Sequence, residues 1–348
     1  MTIKKYGGNP QNFNNKSVCF DDVLLEPQHS NIRSRSEVDI GGNLLGHRLD
    51  LPIISSPMDT VTEETMCKEI RSHGGLGILH RYNSIDDQQR MIESVYNDVD
   101  VIGAAVGVTG DYLERSSAVV ASGASVLCVD IAHGHHVLME RALKSIKDLF
   151  GDTVCVIAGN VATLKGFNDL SDWGADAIKI GIGGGSICST RIQTGHGMPT
   201  LQSILECSKS DRDTKLIADG GIKNSGDIVK SLAAGADFVM LGSLLAGTDE
   251  APGDLFEDRA GKKYKAYRGM ASHEAQMDWR GSVSSLEGVA TTISYKGPVN
   301  LVLRHLEKGI RSGFSYSGAR NLAELQARCK FLEQTSAGQL ESSTHILR

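Results

Sequence analysis

The segment Ala-Asp-Ala-Ile-Lys-Ile-Gly-Ile-Gly-Gly-Gly-Ser-Ile-Cys-Ser-Thr-Arg, residues 175–191, joins a strand-like run to a glycine-dense turn. Four of the five residues from Gly181 to Gly185 are glycine, which lets the backbone approach a ligand closely and adopt positive φ angles. The turn then presents Cys188, and the hydroxyl of Thr190 follows two residues later. On the loop alone, Cys188 is either a nucleophile held against a substrate or an incidental residue of a tight turn.

The same pattern, a short apolar run followed by polar or glycine residues, recurs along the chain. Eight runs are predicted to be strands: 51–56, 76–80, 101–106, 126–130, 154–158, 177–180, 215–218 and 238–241. Helical spacing between them indicates a parallel sheet, and eight such units predict a closed (β/α)8 TIM barrel. A doubly wound open sheet is the alternative. The barrel is favoured because its strand ends all meet on one face, where active sites of such barrels form.

Two segments lie outside this array. Residues 1–50 form an N-terminal extension, and residues 250–348 are longer than one closing helix requires. Within the second segment, residues 271–286 are polar, lack periodicity and include Trp279, a residue type that is unusual in an idle loop. We interpret 271–286 as a mobile flap over the barrel mouth, and a disordered surface loop is the alternative.

The bulk composition excludes some classes of function. The chain has 348 residues, a net charge of −6 and a pI of about 6.0, and no long basic run, which disfavours nucleic-acid binding. Its apolar runs are of strand length, so no membrane segment is predicted, and residues 1–8 lack the apolar core of a signal peptide. Seven cysteines without a C-x-x-C pair fit a reducing compartment, so a cytoplasmic location is expected.

A phosphate site is predicted where the seventh and eighth strands end. Asp219-Gly220-Gly221 follows one strand and Gly242-Ser243 follows the other. In these barrels the loops after strands seven and eight commonly bind phosphate through backbone N–H groups, and Ser186 could add a hydroxyl donor. Asp219 would be repelled by a phosphate, so we assign it to ribose hydroxyls instead.

In its motifs and their order, the chain closely resembles the IMP dehydrogenase / GMP reductase family over nearly its whole length. Besides the cysteine loop, the matching motifs are FDDVLL at 20–25, SSPMDTVT at 55–62, DIAHGH at 130–135, AGNVAT at 158–163, ADGGI at 218–222, MLGSLLA at 240–246 and YRGM at 267–270. The resemblance implies a barrel that binds a purine nucleotide, GMP or IMP, and a nicotinamide cofactor, NADPH or NAD. It also implies that this compact chain is a single barrel domain, 1–348, without the regulatory CBS domain pair.

The resemblance also implies roles for individual residues. Cys188 would attack C2 of the purine to give a thioimidate, with Thr190 and Glu287 handling protons there. The implied substrate contacts are Ser56, Met58, Ser186, Asp219, Gly220, Gly221, Gly242, Ser243, Tyr267, Gly269 and Met270. Those implied for the cofactor are Asp130, His133, Gly134 and Gly181. A potassium ion would bind carbonyls of Gly183, Gly185 and Cys188, with Glu341 of the tail at 335–345 completing a neighbour's site in a homotetramer.

The two reactions of the family leave an alternative open. Several motifs, among them the tail at 335–345, resemble the dehydrogenase, which hydrolyses the intermediate to XMP. The overall length and the short flap resemble the reductase, which converts GMP to IMP and ammonia. The flap contains Trp279-Arg280 in place of the dehydrogenase's Arg-Tyr pair, and this favours GMP reductase. A nucleotide-binding barrel without turnover is a third interpretation, which the intact Cys188, Thr190 and Glu287 disfavour.

Overall fold

The computed structural model describes residues 16–283 and 286–342 and contains a closed parallel barrel. The strands before the barrel are β1 (Val23–Leu25), β2 (Gly42–Leu44) and β3 (His47–Leu49). The barrel strands are β4 (Ile53–Ser55), β5 (Leu76–Leu79), β6 (Gly103–Val106), β7 (Val126–Asp130), β8 (Cys155–Val161), β9 (Ala177–Ile180), β10 (Lys215–Asp219) and β11 (Phe238–Leu241). Those after it are β12 (Leu255–Glu257), β13 (Lys263–Arg268), β14 (Ala290–Ser294) and β15 (Phe331–Glu333).

Helices alternate with the barrel strands. They are α1 (Glu64–Ser72), α2 (Ile85–Val95), α3 (Tyr112–Ala121), α4 (Val137–Phe150), α5 (Leu164–Asp172), α6 (Thr190–Thr194), α7 (Thr200–Cys207) and α8 (Ser225–Ala233), followed by α9 (His273–Arg280), α10 (Val299–Tyr316), α11 (Leu322–Arg328) and α12 (Ser336–Glu341). In the described ranges, no helix is both long enough and apolar enough to cross a membrane.

Each of the eight predicted strands is present, and they pair in parallel from β4 to β11, with β11 returning to β4. This closure confirms the (β/α)8 barrel and excludes the doubly wound open sheet. The register places Ser55 beside Leu241 and Asp219 beside Met240, so the polar residues after these strands emerge at the same end of the barrel. The fold thereby brings together residues that are far apart in the sequence.

Two layers of apolar side chains stabilise the barrel, because successive residues of a strand point to opposite faces. On β4, Ile53 packs outward against the helices and Ile54 packs inside the barrel. The β2–β3 hairpin closes the barrel at the amino ends of the strands. Its Leu44 and Leu49 are fully buried in the inner layer with Phe238. The opposite end, at the carboxyl ends of the strands, stays open.

The segments outside the barrel pair with each other. Strand β1 of the N-terminal extension lies antiparallel to β15 near the C-terminus, and β12, β13 and β14 form a separate antiparallel sheet. The predicted flap, 271–286, connects β13 to β14, and its residues 284–285 lie outside the described part. The last residues of the 335–345 tail, 343–345, also lie outside it.

The flap is more ordered than its sequence pattern indicates, because it contains the helix α9. The hydroxyl of Ser272 accepts a hydrogen bond from the N–H of Ala275 at its start, and Gly281 ends it with a φ of 67°. The helix buries only Ala275 and Gln276. A helix that buries one alanine and one glutamine has no apolar stripe, and this explains the missing periodicity.

Candidate active site

A cavity of about 400 Å3 opens at the carboxyl ends of the barrel strands. Its walls include almost every residue that the sequence singled out: Ser56, Met58, Asp130, Gly181, Gly183, Gly185, Ser186, Cys188, Thr190, Asp219, Gly220, Gly221, Gly242, Ser243, Tyr267, Gly269, Met270 and Glu287. Three singled-out residues, His133, Gly134 and Glu341, are not among the residues lining it. The cavity is therefore the candidate active site.

The cysteine loop owes its course to its glycines. Gly181 has a φ of 147°, and a Cβ there would lie 1.9 Å from the carbonyl oxygen of Asp219. Gly183 has a φ of 79°, in the left-handed region that favours glycine. These two positions turn the chain away from β9 and across the mouth of the barrel, where it presents Cys188.

A hydrogen-bonded chain of three side chains runs from the cysteine. The thiol of Cys188 donates to Thr190 Oγ1 at 3.2 Å, and that hydroxyl donates to Glu287 Oε2 at 2.7 Å. The carboxylate can therefore receive a proton from the thiol through the threonine hydroxyl, and it can return a proton by the same route.

Backbone pairing holds Glu287 against the cysteine loop. The N–H of Ser189 donates to the carbonyl of Glu287 at 2.9 Å, and the N–H of Val289 donates to the carbonyl of Ile187 at 3.0 Å. Cys188 and Gly288 form an antiparallel bridge between these bonds. The carboxylate is thus fixed relative to the thiol by main-chain contacts, at the point where the flap rejoins the barrel.

Hydroxyls and glycine backbones gather at the predicted phosphate end. Tyr267 Oη lies 3.4 Å from Ser186 Oγ, and a Cβ on Gly242 would lie 3.2 Å from the same phenol oxygen. Burial raises the pKa of Tyr267, against the opposing effect of its contact with Ser186, so its hydroxyl stays protonated at neutral pH. These groups can donate hydrogen bonds to an anion.

A buried lysine that the sequence analysis missed joins the two predicted carboxylates. Lys179 on β9 is 2% exposed; its Nζ contacts Asp130 Oδ1 and lies 3.5 Å from Asp219 Oδ2. Burial alone would lower the pKa of Lys179, but Asp130 and Asp219 outweigh it, so its pKa lies above the usual range. Asn160 also donates to Asp219 Oδ2, at 2.9 Å. The signal available in the sequence is a lysine within the apolar run 175–180, which is predicted to be a buried strand.

The flap helix packs against the loop after β5 through aromatic and cationic side chains. The ring of Trp279 meets that of Tyr82 edge-on, with centroids 5.4 Å apart, and Arg81 lies 5.0 Å from the Tyr82 centroid. The guanidinium carbon of Arg280 lies 4.3 Å from the centroid of the Trp279 ring, and Arg280 lines the cavity. Arg81 also lines it, and its Nε is buried without a hydrogen-bond partner among the described residues. Arg81 is thus a cavity residue that was not predicted from the sequence.

The three residues outside the cavity lie in two different places, a loop after barrel strand β7 and the C-terminal helix α12. His133 is exposed, whereas Gly134 is buried and donates its N–H to the carbonyl of Asn160 at 2.6 Å. Glu341 is exposed at the end of α12, a helix that packs on the turn Phe20–Asp22. Within 16–283 and 286–342, no cluster of three or more His, Cys, Asp or Glu side chains could hold a metal ion.

Comparison with known proteins identifies relatives that match almost the whole chain. The model of the IMP dehydrogenase / GMP reductase domain matches residues 17–345. Inosine-5′-monophosphate dehydrogenase of Chlorobaculum parvum is 45% identical in an alignment that covers 94% of this chain and 96% of the relative. GMP reductase of Leishmania major is 31% identical in an alignment that covers 95% of this chain and 97% of the relative. A crystal structure of a Trypanosoma brucei GMP reductase variant with guanosine 5′-monophosphate has a TM-score of 0.92 at 31% identity, covering 97% of this chain and 99% of that one.

Proposed function

This chain belongs to the IMP dehydrogenase / GMP reductase family and is an NAD(P)-dependent purine nucleotide oxidoreductase, and we propose that it reduces GMP with NADPH to IMP and ammonia. The observation that carries this choice is the flap. Hydrolysis of a thioimidate requires a water molecule, a base that deprotonates it and a closure that positions both. Between Gly269 and Glu287 the chain contains no tyrosine and a single arginine, Arg280, which stacks on Trp279.

The relay from Cys188 fits the removal of ammonia. The thiol proton passes through Thr190 to Glu287, and the thiolate forms a bond to C2 of GMP. The same route then returns a proton to the amino group, which leaves C2 as ammonia and gives the thioimidate. NADPH, when bound, supplies the hydride that reaches C2. The carbon–sulfur bond then breaks, so that IMP and the Cys188 thiolate are released.

The rest of the cavity supplies the contacts that orient the nucleotide. We propose that Ser186, Gly221, Gly242, Ser243 and Tyr267 bind the phosphate and that Asp219 accepts hydrogen bonds from the ribose. Ser56, Met58, Gly220, Gly269 and Met270 complete the nucleotide site. The similarity to a GMP reductase whose structure contains GMP supports this arrangement.

The cofactor would lie on the Asp130 side of the cavity. Asp130 and Gly181 are the proposed contacts there, and His133 and Gly134 are proposed to reach it from the rim. The buried Arg81 Nε, which has no partner in the described ranges, fits a polar ligand beside the nucleotide. The structure thus offers a donor that a nicotinamide cofactor could use.

We propose a monovalent cation site and a homotetramer as further parts of the same function. Carbonyl oxygens of Gly183, Gly185 and Cys188 are hard ligands that suit potassium, and Glu341, exposed on α12, would reach the neighbouring subunit's site. K+ should raise the activity and Glu341→Ala should remove that effect. Light scattering that finds a monomer at micromolar concentration would contradict the tetramer.

The proposed domain organisation is one catalytic barrel over 1–348 with a flap at 271–286. The alignment with the dehydrogenase of Nitrosopumilus maritimus extends over 469 positions, more than the 348 residues of this chain. That relative therefore contains residues without a counterpart here, and this supports a chain without an inserted regulatory domain.

The decisive experiment measures absorbance at 340 nm with GMP plus NADPH and, in the same preparation, with IMP plus NAD. We expect sustained NADPH oxidation with GMP and at most one equivalent of NADH per active site with IMP. Sustained XMP formation would make the chain an IMP dehydrogenase, the second candidate, which the 45% identity to such an enzyme favours. Tight nucleotide binding without either signal would indicate a binding barrel.

A further inference from the structure

Two lysines bind the carbonyl groups of the segment that follows β11. Lys296 Nζ donates to the carbonyls of Ser243, Leu244 and Ala246, the last two at 3.2 and 2.8 Å. All three carbonyls belong to one turn, which begins at Gly242, where the phosphate site is proposed.

The second lysine continues this pattern along the same segment. Lys265 Nζ donates to the carbonyls of Thr248 at 3.0 Å, Asp249 at 3.3 Å and Ala251 at 2.5 Å. Its side chain is buried, at 7% exposure. Burying an ammonium group is costly unless all of its donors are used, and here three carbonyls accept from it. Together the two ammonium groups hold most of the carbonyls between residues 243 and 251.

The turn has opposite polarity at its two ends. The N–H groups of Leu245 and Ala246 both donate to the carbonyl of Gly242, at 3.0 and 2.9 Å. These two bonds do not use the N–H group of Ser243, a residue at the start of the turn that lines the cavity. The carbonyls at the other end of the turn have no backbone partners within it. A cation is therefore favourable at the carbonyl end, and an anion is favourable at the N–H end.

One lysine lies on β13 and the other just after β14, the two strands that the flap connects. Lys265 and Tyr267 lie two residues apart on β13 and are the two buried residues of that strand, so they share its inner face. Lys296 follows β14 by two residues, and its backbone N–H donates to the carbonyl of Gly247 at 2.9 Å. These two side chains therefore connect the turn that begins at Gly242 to the strands β13 and β14 at the ends of the flap. One of those strands, β13, also carries Tyr267.

We propose that Lys296 and Lys265 are positioning residues of the phosphate subsite: their ammonium groups fix the carbonyl side of the 243–251 segment so that its leading N–H groups face the nucleotide phosphate. The inference rests on the proposed function in assuming that a nucleotide phosphate binds at this turn. It assigns neither lysine a direct contact with the substrate. A purely structural role would instead lower stability without affecting the recognition of the phosphate.

The test compares a nucleotide with its nucleoside, because only the nucleotide uses the subsite. We would measure the dissociation constants of GMP and guanosine by calorimetry for wild type, Lys296→Met, Lys296→Arg and Lys265→Met. The matched control is Lys147→Met, which removes a half-buried lysine that binds Asp176 away from the cavity.

We expect Lys296→Met to weaken GMP binding about tenfold or more and to change guanosine binding less than about twofold. The reason is that the substitution misaligns only the hydrogen bonds to the phosphate, which guanosine lacks. KM for GMP should rise by a similar factor with kcat at saturation little changed. Lys296→Arg should recover most of the loss because it keeps the cation and several donors. Lys265→Met should act in the same direction, and Lys147→Met should leave the ratio of the two affinities unchanged.

Equal losses for GMP and guanosine, or an unchanged GMP affinity in a folded variant, would overturn the inference. If Lys296→Met fails to fold, Lys296→Gln and Lys265→Met decide the question by the same ratio. If the wild type oxidises IMP with NAD and does not reduce GMP with NADPH, the proposed reductase activity fails while IMP and inosine still test the turn. A wild type that binds no nucleotide at all would remove both proposals.

Discussion

Arg268 and Asp59 form an ion pair across the barrel mouth, in which Nη2 and Nε of the arginine lie 2.7 and 3.1 Å from Asp59 Oδ2. The remaining Nη1 of Arg268 binds Asp278 on the flap helix α9. The two carboxylates differ in environment, because the Asp59 side chain is 14% exposed and that of Asp278 is 63% exposed. One guanidinium thus joins the loop after β4 to the flap.

The two partners of Arg268 should contribute unequally to stability. Arg268→Met leaves the partly buried Asp59 without its partner, and we expect it to lower the free energy of unfolding by roughly 2 kcal/mol. Asp278→Asn removes only an exposed pair and should cost less than about 0.5 kcal/mol. Urea unfolding of both variants checks the difference, and equal losses would show that the pair with Asp59 adds nothing to stability.

Replacement of the proposed nucleophile should separate chemistry from binding. We expect Cys188→Ala to lower kcat by at least about a thousandfold, because no other group takes over the bond to C2. GMP affinity should change by less than about threefold, since the phosphate and ribose contacts remain. Steady-state assays and calorimetry measure the two effects. More than about 1% residual activity would contradict a covalent role for Cys188.

The relay predicts losses that do not add. Thr190→Val breaks the connection between thiol and carboxylate, and Glu287→Gln removes the proton acceptor while keeping the backbone pairing. Each should lower kcat about a hundredfold, and the double variant should be little worse than either single one. Single-turnover measurement of ammonia release tests this. Losses that multiply would mean that the two side chains act independently.

Removal of the buried Lys179 should lower stability more than removal of one of its partners. The Nζ of Lys179 contacts both Asp130 and Asp219, and the pKa of Lys179 lies above the usual range, so it is a cation at neutral pH. Lys179→Met leaves two carboxylates without that cation, and we expect it to lower the free energy of unfolding by roughly 3 kcal/mol. Asp219→Asn keeps the contact of Lys179 with Asp130 and should cost only about 1 kcal/mol.

Chemical denaturation of the two variants at neutral pH measures this difference. Adding Asp219→Asn to Lys179→Met should recover part of the loss, because one of the two unpaired carboxylates is then absent. A loss of stability in Lys179→Met that is no larger than the loss in Asp219→Asn would contradict the role of the lysine as the cation that Asp130 and Asp219 share.

The barrel was predictable from the sequence because each strand repeats the same local pattern. An apolar run followed by glycine or a polar residue indicates a buried strand whose carboxyl end carries residues of the site. Closure of the barrel then brings Cys188, Asp219 and Gly242 to one cavity. The role of Glu287 was predicted only from the resemblance of the chain to the family. Its location depends on main-chain pairing with Ser189, which no periodicity reveals.

The missed residues share a physical reason, because each departs from the usual environment of its type. Lys179, Lys265 and Lys296 are lysines whose ammonium groups are satisfied inside the protein by carboxylates or carbonyls, whereas lysines are mostly exposed. The partners come from distant segments, so local sequence contains no sign of them. The helix α9 was missed because it buries too little apolar surface to create a periodic pattern.

The connection between β13 and β14 is fixed at both ends, by Arg268 on Asp59 at one and by Gly288 on Cys188 at the other. We therefore expect the barrel to tolerate replacement of residues 271–286 without a shift of its strands. On the proposed mechanism this stretch is an exchangeable cassette, in which a few side chains select whether water or ammonia is handled at C2. A change from one reaction to the other would then require new sequence in a single short piece of chain, with Cys188 and Glu287, the proposed nucleophile and its carboxylate, left where they are.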